Sequence, residues 1–478
     1  GPHPYQSRLI KQEKRVKQRR PEWPPSEWPP ASWPQDWWCD VWSATPPCAS
    51  MRQPDAILEH GNAAAQPLCE GINQALVLTN AIGEAALPEC LFARAYMPQW
   101  LAEHVRDAPE FHEIQTIREE RARAAAEADG SELVPTEPVY VNAEAERLAA
   151  SLKRDIMQAY VHDPTIEKLP RRHDPILWWY KDPLVHGVPE KRKYEIVLRN
   201  LYRQCLRFQK DIQQLTQLQR YSDCMVSVLR PGTANHPKVI FRYKPVFCVL
   251  QREPLPPIAG TDLVQASKSQ QLVSIDPVSP YVDMQMTKDW QPYDTAPFYP
   301  RIRPIYKRRQ ENDDEDASRL LLEQRYLQTV FTCVQQTDAH HQRYPWSTEA
   351  ITAHAIVQCH AGALAQAQQT QQQADSPSES RLQKPVVVQL VQLCRTSFDF
   401  VVFQLNTLGL DDTNDGTKNF VWYSGPQLYH KYISWWRETK PELVNPRLNV
   451  FQSVLALLSH SAPSLHAPQR KRQQQSTV

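Results

Sequence analysis

The sequence is 478 residues long and nearly neutral, since its 54 lysines and arginines face 53 aspartates and glutamates. This length is typical of about two to four domains, and the balanced charge means that nucleic-acid binding could only come from local basic patches. The 12 glycines exclude the common nucleotide-binding loops, because those loops need glycines two, three or five positions apart and here no two lie closer than Gly409 and Gly416.

Residues 1–50 predict an extended arm that is first basic and then rich in tryptophan and proline. Residues 1–22 carry seven lysines and arginines against two acids, a pattern that fits either a solvated tail or an arm that binds phosphates. Residues 23–42 contain six tryptophans among prolines, which favour an extended backbone, and exposed indoles are expected to pack against a surface. The candidate RNA contacts of the arm are Lys11, Lys14, Arg15, Arg19 and Arg20. The candidate protein contacts are Trp23, Trp28, Trp33 and Trp38.

Residues 51–365 predict a core of mixed helices and strands. Charged, periodic stretches at 110–128 and 142–161 predict helices, and the clearest helical pattern lies at 190–220. In that third helix, apolar side chains recur at alternating intervals of four and three residues, which is the spacing of one helical stripe. The stripe consists of Tyr194, Leu198, Leu201, Cys205, Phe208, Ile212 and Leu215.

The opposite face of the helix predicted at 190–220 carries cations. At about 100° per residue they fall within an arc of about 80°, and they extend over about 27 Å of the helix. The five cations are Arg192, Arg199, Arg203, Arg207 and Lys210. This face is either the solvated back of a core helix or a surface that binds RNA phosphates, and the acids that flank the arc do not interrupt it.

The second half of the core contains two predicted strands, a proline-rich stretch and two predicted helices. Residues 237–251 predict strands with a break at Pro245, and residues 317–337 and 348–368 predict helices. Between them, cations interleaved with aromatic residues suit an RNA groove, although the acids at 311–316 could neutralise them. The candidate RNA contacts there are Arg301, Arg303, Lys307 and Arg308.

The C-terminal part predicts a linker, a small region with a hairpin, and a tail. Residues 366–384 are rich in glutamine and predict the linker, residues 385–462 form the region, and residues 463–478 form a basic tail. The elements predicted for that region are a hairpin of strands at 384–393 and 397–405, a turn at 411–416 and a helix at 449–459, and a short apolar run lies at 420–423.

The spacing of potential metal ligands does not match known sites. His112 begins a zinc-protease pattern, but Thr116 stands where the second histidine must be. A calcium loop that begins at Asp411 would need glutamate at its twelfth position, which is Trp422.

Catalytic and redox motifs are also missing from the sequence. The nucleophile elbow of hydrolases needs glycines four apart, and the ten cysteines contain no CxxC pair, which indicates free thiols in a reducing compartment. A cluster of candidate ligands on predicted helices lacks the paired spacing of a metal site, and it consists of His340, His341, His354, Cys359 and His360. We therefore predict no enzyme, no cofactor or metal site and no small-molecule substrate, and the lack of any run of 18 apolar residues predicts no membrane span.

The hairpin region contains motifs that resemble a known family. The FVVFQLNT run at 400–407 is followed by an Asn-x-Gly-x-Lys-Asn turn at 414–419, then by Trp422 and by Leu428 and Tyr429. Residues 398–432 thereby resemble the metazoan mitochondrial large-ribosomal-subunit protein number sixty-five. That family was formerly numbered thirtieth in the small subunit, is also called programmed cell death protein nine, and is similar to the thirty-seventh large-subunit protein. The sequence has one extra residue around 412–413 relative to that family.

The resemblance implies a structural role in the mitochondrial ribosome, in the matrix, without catalytic residues. Its implied partners are large-subunit rRNA and other mitoribosomal proteins, including the related thirty-seventh protein. The fold class predicted from the whole pattern is α+β, with helices packed on a small, mostly antiparallel sheet, a long extended N-terminal arm and a C-terminal tail. Two alternatives remain open, a protein-only adaptor linked to apoptosis that does not bind RNA, and an enzyme of unrecognised type.

Overall fold

The computed structural model describes about half of the chain. The described residues are 57–61, 68–94, 98, 100–101, 143–160, 167–168, 186–208, 218–222, 224–230, 238–275, 298–300, 326–335, 346–372, 381–409, 416–433, 442–444 and 446–460. The predicted N-terminal arm, the helix predicted at 110–128 and the C-terminal tail lie outside these ranges.

The described part contains helices and strands in mixed order. The helices are α1 (Ile72–Leu78), α2 (Glu89–Arg94), α3 (Ala143–Tyr160), α4 (Glu190–Phe208), α5 (Thr261–Ser267), α6 (Thr348–Gln372) and α7 (Leu448–Ser459). The strands are β1 (Ile57–Gly61), β2 (Ala81–Glu84), β3 (Glu167–Lys168), β4 (His186–Gly187), β5 (Gln219–Ser222), β6 (Cys224–Arg230), β7 (Lys238–Tyr243), β8 (Phe247–Gln251), β9 (Phe298–Pro300), β10 (Tyr326–Val334), β11 (Arg381–Cys394), β12 (Ser397–Thr407), β13 (Asn419–Tyr423), β14 (Gln427–Leu428), β15 (Lys431–Ile433) and β16 (Glu442–Val444).

An eight-stranded mixed sheet organises the fold. Its strand order is β2-β13-β12-β11-β10-β8-β5, with β14 paired to the end of β12. Most neighbours are antiparallel, while β10 with β11 and β13 with β2 are parallel. A second sheet has the order β1-β7-β6-β9. The α+β class is confirmed, and the sheet is larger and more mixed than the small one that the sequence predicted.

Helix α6 lies between the two sheets. Every residue from Ala350 to Ala367 is buried, including polar ones such as His354, Gln358 and His360, so the helix is covered on all sides. A Cβ on Gly362 would lie 3.4 Å from both Leu327 and Tyr243, which belong to the eight-stranded and the four-stranded sheet respectively. Tyr243 also donates a hydrogen bond to a carbonyl of α6 at 2.7 Å. The helix therefore forms the core that joins the two sheets.

Helices α3, α4 and α7 belong to a second hydrophobic cluster with side chains of the eight-stranded sheet. Tyr202 of α4 packs against Phe247 of β8 and Phe331 of β10, with ring centroids 5.5 and 5.8 Å apart. Phe247 and Phe331 are stacked at 4.4 Å. This aromatic group fixes α4 beside the β8–β5 end of the sheet.

Local sequence patterns identified several of these elements correctly. The helices predicted at 142–161, 348–368 and 449–459 are confirmed as α3, α6 and α7. The strands predicted at 237–251 and at 384–405 are confirmed as β7 with β8 and as the hairpin β11–β12, and the short apolar run at 420–423 lies in strand β13.

Two predicted helices are wrong in type or extent. Residues 317–337 were expected to be helical, but Tyr326–Val334 is a strand between β8 and β11. It is covered on both faces, so its apolar residues need not alternate, and its threonines and valines favour a strand. The helix predicted at 190–220 is described over Glu190–Phe208, residues 209–217 lie outside the described ranges, and Gln219–Ser222 is a strand that pairs with β8 instead of a helix.

The linker predicted at 366–384 has regular structure at both of its ends. Helix α6 continues to Gln372, and β11 begins at Arg381. Residues 373–380 lie outside the described ranges, and the division of the chain into domains stays a prediction.

A buried polar network uses the side chains of the motif at 400–419. Gln404 Oε1 accepts hydrogen bonds from the backbone N–H groups of Ile258 and Ala259 at 2.8 and 2.9 Å. Gln404 Nε2 donates to Asn406 Oδ1 at 3.0 Å, and Asn406 Nδ2 donates to the carbonyl of Lys418 at 2.9 Å. The glutamine therefore connects β12 to the segment that precedes α5.

Asn419 is the second centre of this network and is 1% exposed. Its Oδ1 accepts from the backbone N–H groups of Asn406 and Thr407 at 2.8 and 3.1 Å, and its Nδ2 donates to the carbonyl of Thr79 at 3.0 Å. The carbonyl of Asn80, whose backbone is left-handed with φ 48°, accepts from the Asn419 N–H at 2.9 Å. These contacts tie the turn between α1 and β2 to the hairpin, so the side chains of the motif hold these elements together.

Candidate nucleic-acid interface

Helix α4 buries the apolar stripe that its sequence predicted. Tyr194, Leu198, Leu201 and Cys205 are buried. Phe208 is half-buried at the end of the helix, 5.9 Å from the ring of Trp100 and 5.5 Å from that of Phe451. Ile212 and Leu215 lie outside the described residues. The stripe faces the protein core, which turns the opposite face of α4 outward.

Two polar residues, which the sequence reasoning missed, lock the rotation of α4 against α3. Asn200 Nδ2 donates to the carbonyl of Asp155 at 3.1 Å and to Gln158 Oε1 at 3.2 Å. Gln204 Nε2 donates to Ser151 Oγ at 3.0 Å and to Asp155 Oδ2. Asn200 and Gln204 lie four residues apart, the usual spacing of one helical face, but polar side chains alone do not reveal which helix they meet.

The predicted cationic arc is only partly free. Arg203 and Arg207 are exposed, whereas Arg192 and Arg199 are half-buried. Arg192 Nη1 lies 3.5 Å from Glu195 Oε2, so an acid of the same helix partly neutralises the N-terminal end of the arc. The other end, Lys210, lies outside the described residues. The part of the arc that faces outward is therefore its C-terminal half.

Arg220 joins this half of the arc from a different element. It lies on β5, the edge strand of the eight-stranded sheet, where it pairs with Val249 of β8. Its Cζ lies 5.9 Å from the ring centroid of Phe247, the same ring against which Tyr202 of α4 packs. The helix predicted through residue 220 did not indicate that Arg220 lies near this half of the arc. On such a helix, Arg220 would have been two turns or more beyond the arc.

Arg199, Arg203 and Arg220 form a group of like charges, which we call the arginine cluster. Arg199 lies three residues before Tyr202 and Arg203 directly follows it, and Tyr202 and Arg220 meet at the Phe247 ring. Partial burial, together with the charges of Arg199 and Arg203, lowers the pKa of Arg220. Electrostatic repulsion therefore acts between strand β5 and helix α4 at this point.

The arginine cluster has no neutralising partner among the described residues. None of the three guanidinium groups forms an ion pair with a described acid, and the buried Nε of Arg199 has no hydrogen-bond acceptor there. An anion at this position would relieve the repulsion and could accept hydrogen bonds from the guanidinium groups. The geometry therefore suits the binding of phosphate or carboxylate groups.

The remaining candidate contacts stay predictions, because they lie outside the described residues. For the RNA these are Lys11, Lys14, Arg15, Arg19, Arg20, Arg301, Arg303, Lys307 and Arg308. For proteins they are Trp23, Trp28, Trp33 and Trp38.

Of the histidines considered as metal ligands, His354 and His360 lie within the core, while His340 and His341 lie outside the described residues. His354 Nε2 is 2.8 Å from the side chain of Gln358, and His360 packs against the rings of Phe241 and Phe403. Burial, and secondarily the charge of a nearby arginine, lowers the pKa of His360 to about 3. In the part of the chain that the structure describes, no three histidine, cysteine or acidic residues are grouped to hold a metal, and no helix could span a membrane.

Comparison with known proteins shows similarity to one kind of ribosomal protein. No family model matches the chain. The chain is 29% identical to large ribosomal subunit protein mL37 of Rattus norvegicus over 44% of this chain and 45% of that protein. It is 24% identical to the mL37 protein of Mus musculus over 77% of this chain and 83% of that protein. The mL37 protein of Bos taurus is 29% identical over 44% of this chain and 45% of its own length, so two of these three matches span less than half of the relative.

Proposed function

We propose that this chain is a structural component of the mitochondrial large ribosomal subunit and has no catalytic role. The relatives bear the name of a large-subunit protein, which supports the placement in that subunit. The motif at 398–432 resembles the mitochondrial family numbered sixty-five, which supports the finer assignment, with localisation in the matrix. The partners in this proposal are large-subunit rRNA and neighbouring ribosomal proteins, including the related thirty-seventh protein.

The observation that carries the proposed RNA contact is the two-sided character of α4. One side is buried against the sheet and α3, and the other presents Arg199, Arg203 and Arg207 with no ion pair to a described acid. A merely solvated helix face usually mixes charges of both signs, whereas a row of cations is well suited to bind the phosphates of RNA. Because this surface contacts phosphates rather than bases, we expect it to bind without reading sequence.

The test is incorporation of a charge-reversed chain into the large subunit. The variant carries Arg199→Glu, Arg203→Glu and Arg207→Glu, and the control carries Arg147→Glu and Arg154→Glu on the exposed surface of α3. In gradient sedimentation of mitochondrial lysate, we expect the wild type and the control to migrate with the large subunit and the variant to stay near the top. Circular dichroism spectra should be the same for all three chains.

Two results of this experiment would contradict the proposal. If the variant enters the large subunit as well as the control does, the α4 face does not bind rRNA. If the wild type never migrates with the large subunit, and RNase does not change its position, a protein-only adaptor is the better description.

A further inference from the structure

We infer that Arg199, Arg203 and Arg220 form one binding site for consecutive phosphates of an RNA strand, built where α4 meets edge strand β5. The inference rests on the proposed function, because RNA is taken as the partner. It goes further by placing a residue of the sheet edge in the RNA interface and by naming the three side chains that act together.

An aromatic group holds the two parts of the site in fixed positions. Phe247 and Phe331 stack at 4.4 Å, and Tyr202 of α4 packs against both rings. Arg220 lies over Phe247 from the strand side. A guanidinium on an aromatic face keeps its in-plane N–H groups available, and these match the oxygens of a phosphate. The side chain of Arg220 is therefore positioned in advance for an anion.

Among the described residues, the arginine cluster is energetically unfavourable in the absence of a ligand. Three like charges meet at one place, and the described residues supply no acid to pair with them. The Nε of Arg199 is buried and lacks an acceptor among those residues, although a buried donor without a partner is costly. A bound anion would remove both penalties, which is the usual reason for an arrangement that does not stabilise the fold alone.

The spacing of the cations favours a polyanion over a single carboxylate. Arg203 follows Arg199 by four residues, and Arg207 follows Arg203 by four, so guanidinium groups recur about every 6 Å along the axis of α4. Regularly spaced phosphates of a nucleic-acid backbone can meet several members of such a row, whereas a single carboxylate can meet only one or two of them. Arg220 widens the row sideways from edge strand β5, where it shares the Phe247 ring with Tyr202.

Salt-dependent binding of RNA by the purified full chain tests the site. The probe is a fluorescently labelled RNA hairpin, and its Kd is measured between about 50 and 300 mM KCl. Each lost phosphate contact should lower the slope of log K against log salt by about 0.7 to 0.9. We expect Arg220→Gln to lower the slope by about one and to weaken binding about tenfold, and the triple change of the cluster to glutamine to lower the slope by two to three.

A control variant and a stability measurement accompany this experiment. Arg154→Gln removes an exposed arginine of α3 outside the cluster and should leave the slope and the Kd unchanged. Arg220→Gln removes one of three like charges. Without RNA, the melting temperature of this variant should therefore equal or exceed that of the wild type. Weaker binding by a chain of undiminished stability supports the site.

Three outcomes would overturn the inference. A wild-type slope for Arg220→Gln, together with a lower slope for Arg199→Gln, would limit the interface to α4 and leave the proposed function standing. Equal losses for Arg220→Gln and Arg154→Gln would indicate only a general charge effect. If polyglutamate of equal charge displaces the RNA probe as well as unlabelled RNA does, the cluster binds an acidic protein segment instead.

Discussion

Replacement of Asn419 by alanine should destabilise the chain more than replacement of an exposed asparagine by alanine does. The side chain accepts hydrogen bonds from two backbone N–H groups of β12 and donates one to the carbonyl of Thr79. Alanine removes all three bonds and places no polar atom in the space, which is closed to water because Asn419 is 1% exposed. The network would then lose the contact between β12 and the turn after α1.

The expected loss follows from the number of buried groups that lose a partner. A buried donor or acceptor without its partner costs about 1 to 3 kcal/mol, and neighbouring losses add incompletely. Three such groups indicate a decrease of about 3 to 5 kcal/mol in the free energy of unfolding. Because domains of this kind are stable by only about 5 to 15 kcal/mol, the change would be large.

Urea denaturation followed by far-UV circular dichroism measures this loss, with linear extrapolation to water. The matched control is Asn73→Ala, which removes an exposed asparagine from α1. That change should alter the free energy of unfolding by no more than about 0.5 kcal/mol. Equal, small effects of both changes would refute the reasoning, since apolar packing of the hairpin would then account for the fold without the network.

The isosteric change Asn419→Asp distinguishes the contribution of the hydrogen bond that residue 419 donates from that of the bonds it accepts. The carboxylate still accepts from the two β12 amides, but at neutral pH it cannot donate to Thr79 O and leaves a charge in a buried position. Protonation at low pH supplies an O–H donor, so the deficit relative to wild type should shrink as the pH falls. A deficit independent of pH would show that the contact with Thr79 is not made by the side chain of residue 419.

Further predictions concern buried titratable groups and the central helix. Burial lowers the pKa of His360 and of His430 to about 3, so the unfolded chain takes up these protons first and the free energy of unfolding should fall as the pH drops below about 6.5. Burial raises the pKa of Asp399 to about 6, so this group lowers the free energy of unfolding as the pH rises from about 4 to 6, opposite to the effect of the histidines. Asp399→Asn should therefore raise the urea midpoint at pH 7 and change it little at pH 4. Gly362→Ala should stabilise α6 by up to about 1 kcal/mol in thermal unfolding, whereas Gly362→Leu should destabilise it by about 1 to 3 kcal/mol because both sheets lie against the glycine.

Hydrophobic periodicity within a short stretch of sequence correctly predicted the elements that bury only one face. The stripe of α4 as far as Phe208 and the hairpin β11–β12 follow directly from their periodicity, and the structure confirms them. The pattern of β10 misled, because Leu327, Val330 and Phe331 have a helix-like spacing while the strand is buried on both faces. Where both faces are covered, periodicity carries no information about the type of element.

The candidate interface was predictable only in part for a related reason. The cations of α4 lie on one helix, so their common direction could be worked out from the spacing alone. Arg220 belongs to another element, and it reaches the same place because β5 pairs with β8 and Tyr202 packs on Phe247. Likewise, nothing near Asn200 or Gln204 in the sequence indicates that they bond to α3.

The sequence by itself determined the α+β class, the lack of glycine-based nucleotide loops and the cationic face of α4. These properties depend on composition or on spacing within one element, which the order of residues states directly. Only the tertiary structure decided which sheet encloses α6, which strand brings Arg220 to Arg199 and Arg203, and which turn Asn419 holds. Those contacts join residues distant in the chain, and packing of whole elements brings them together.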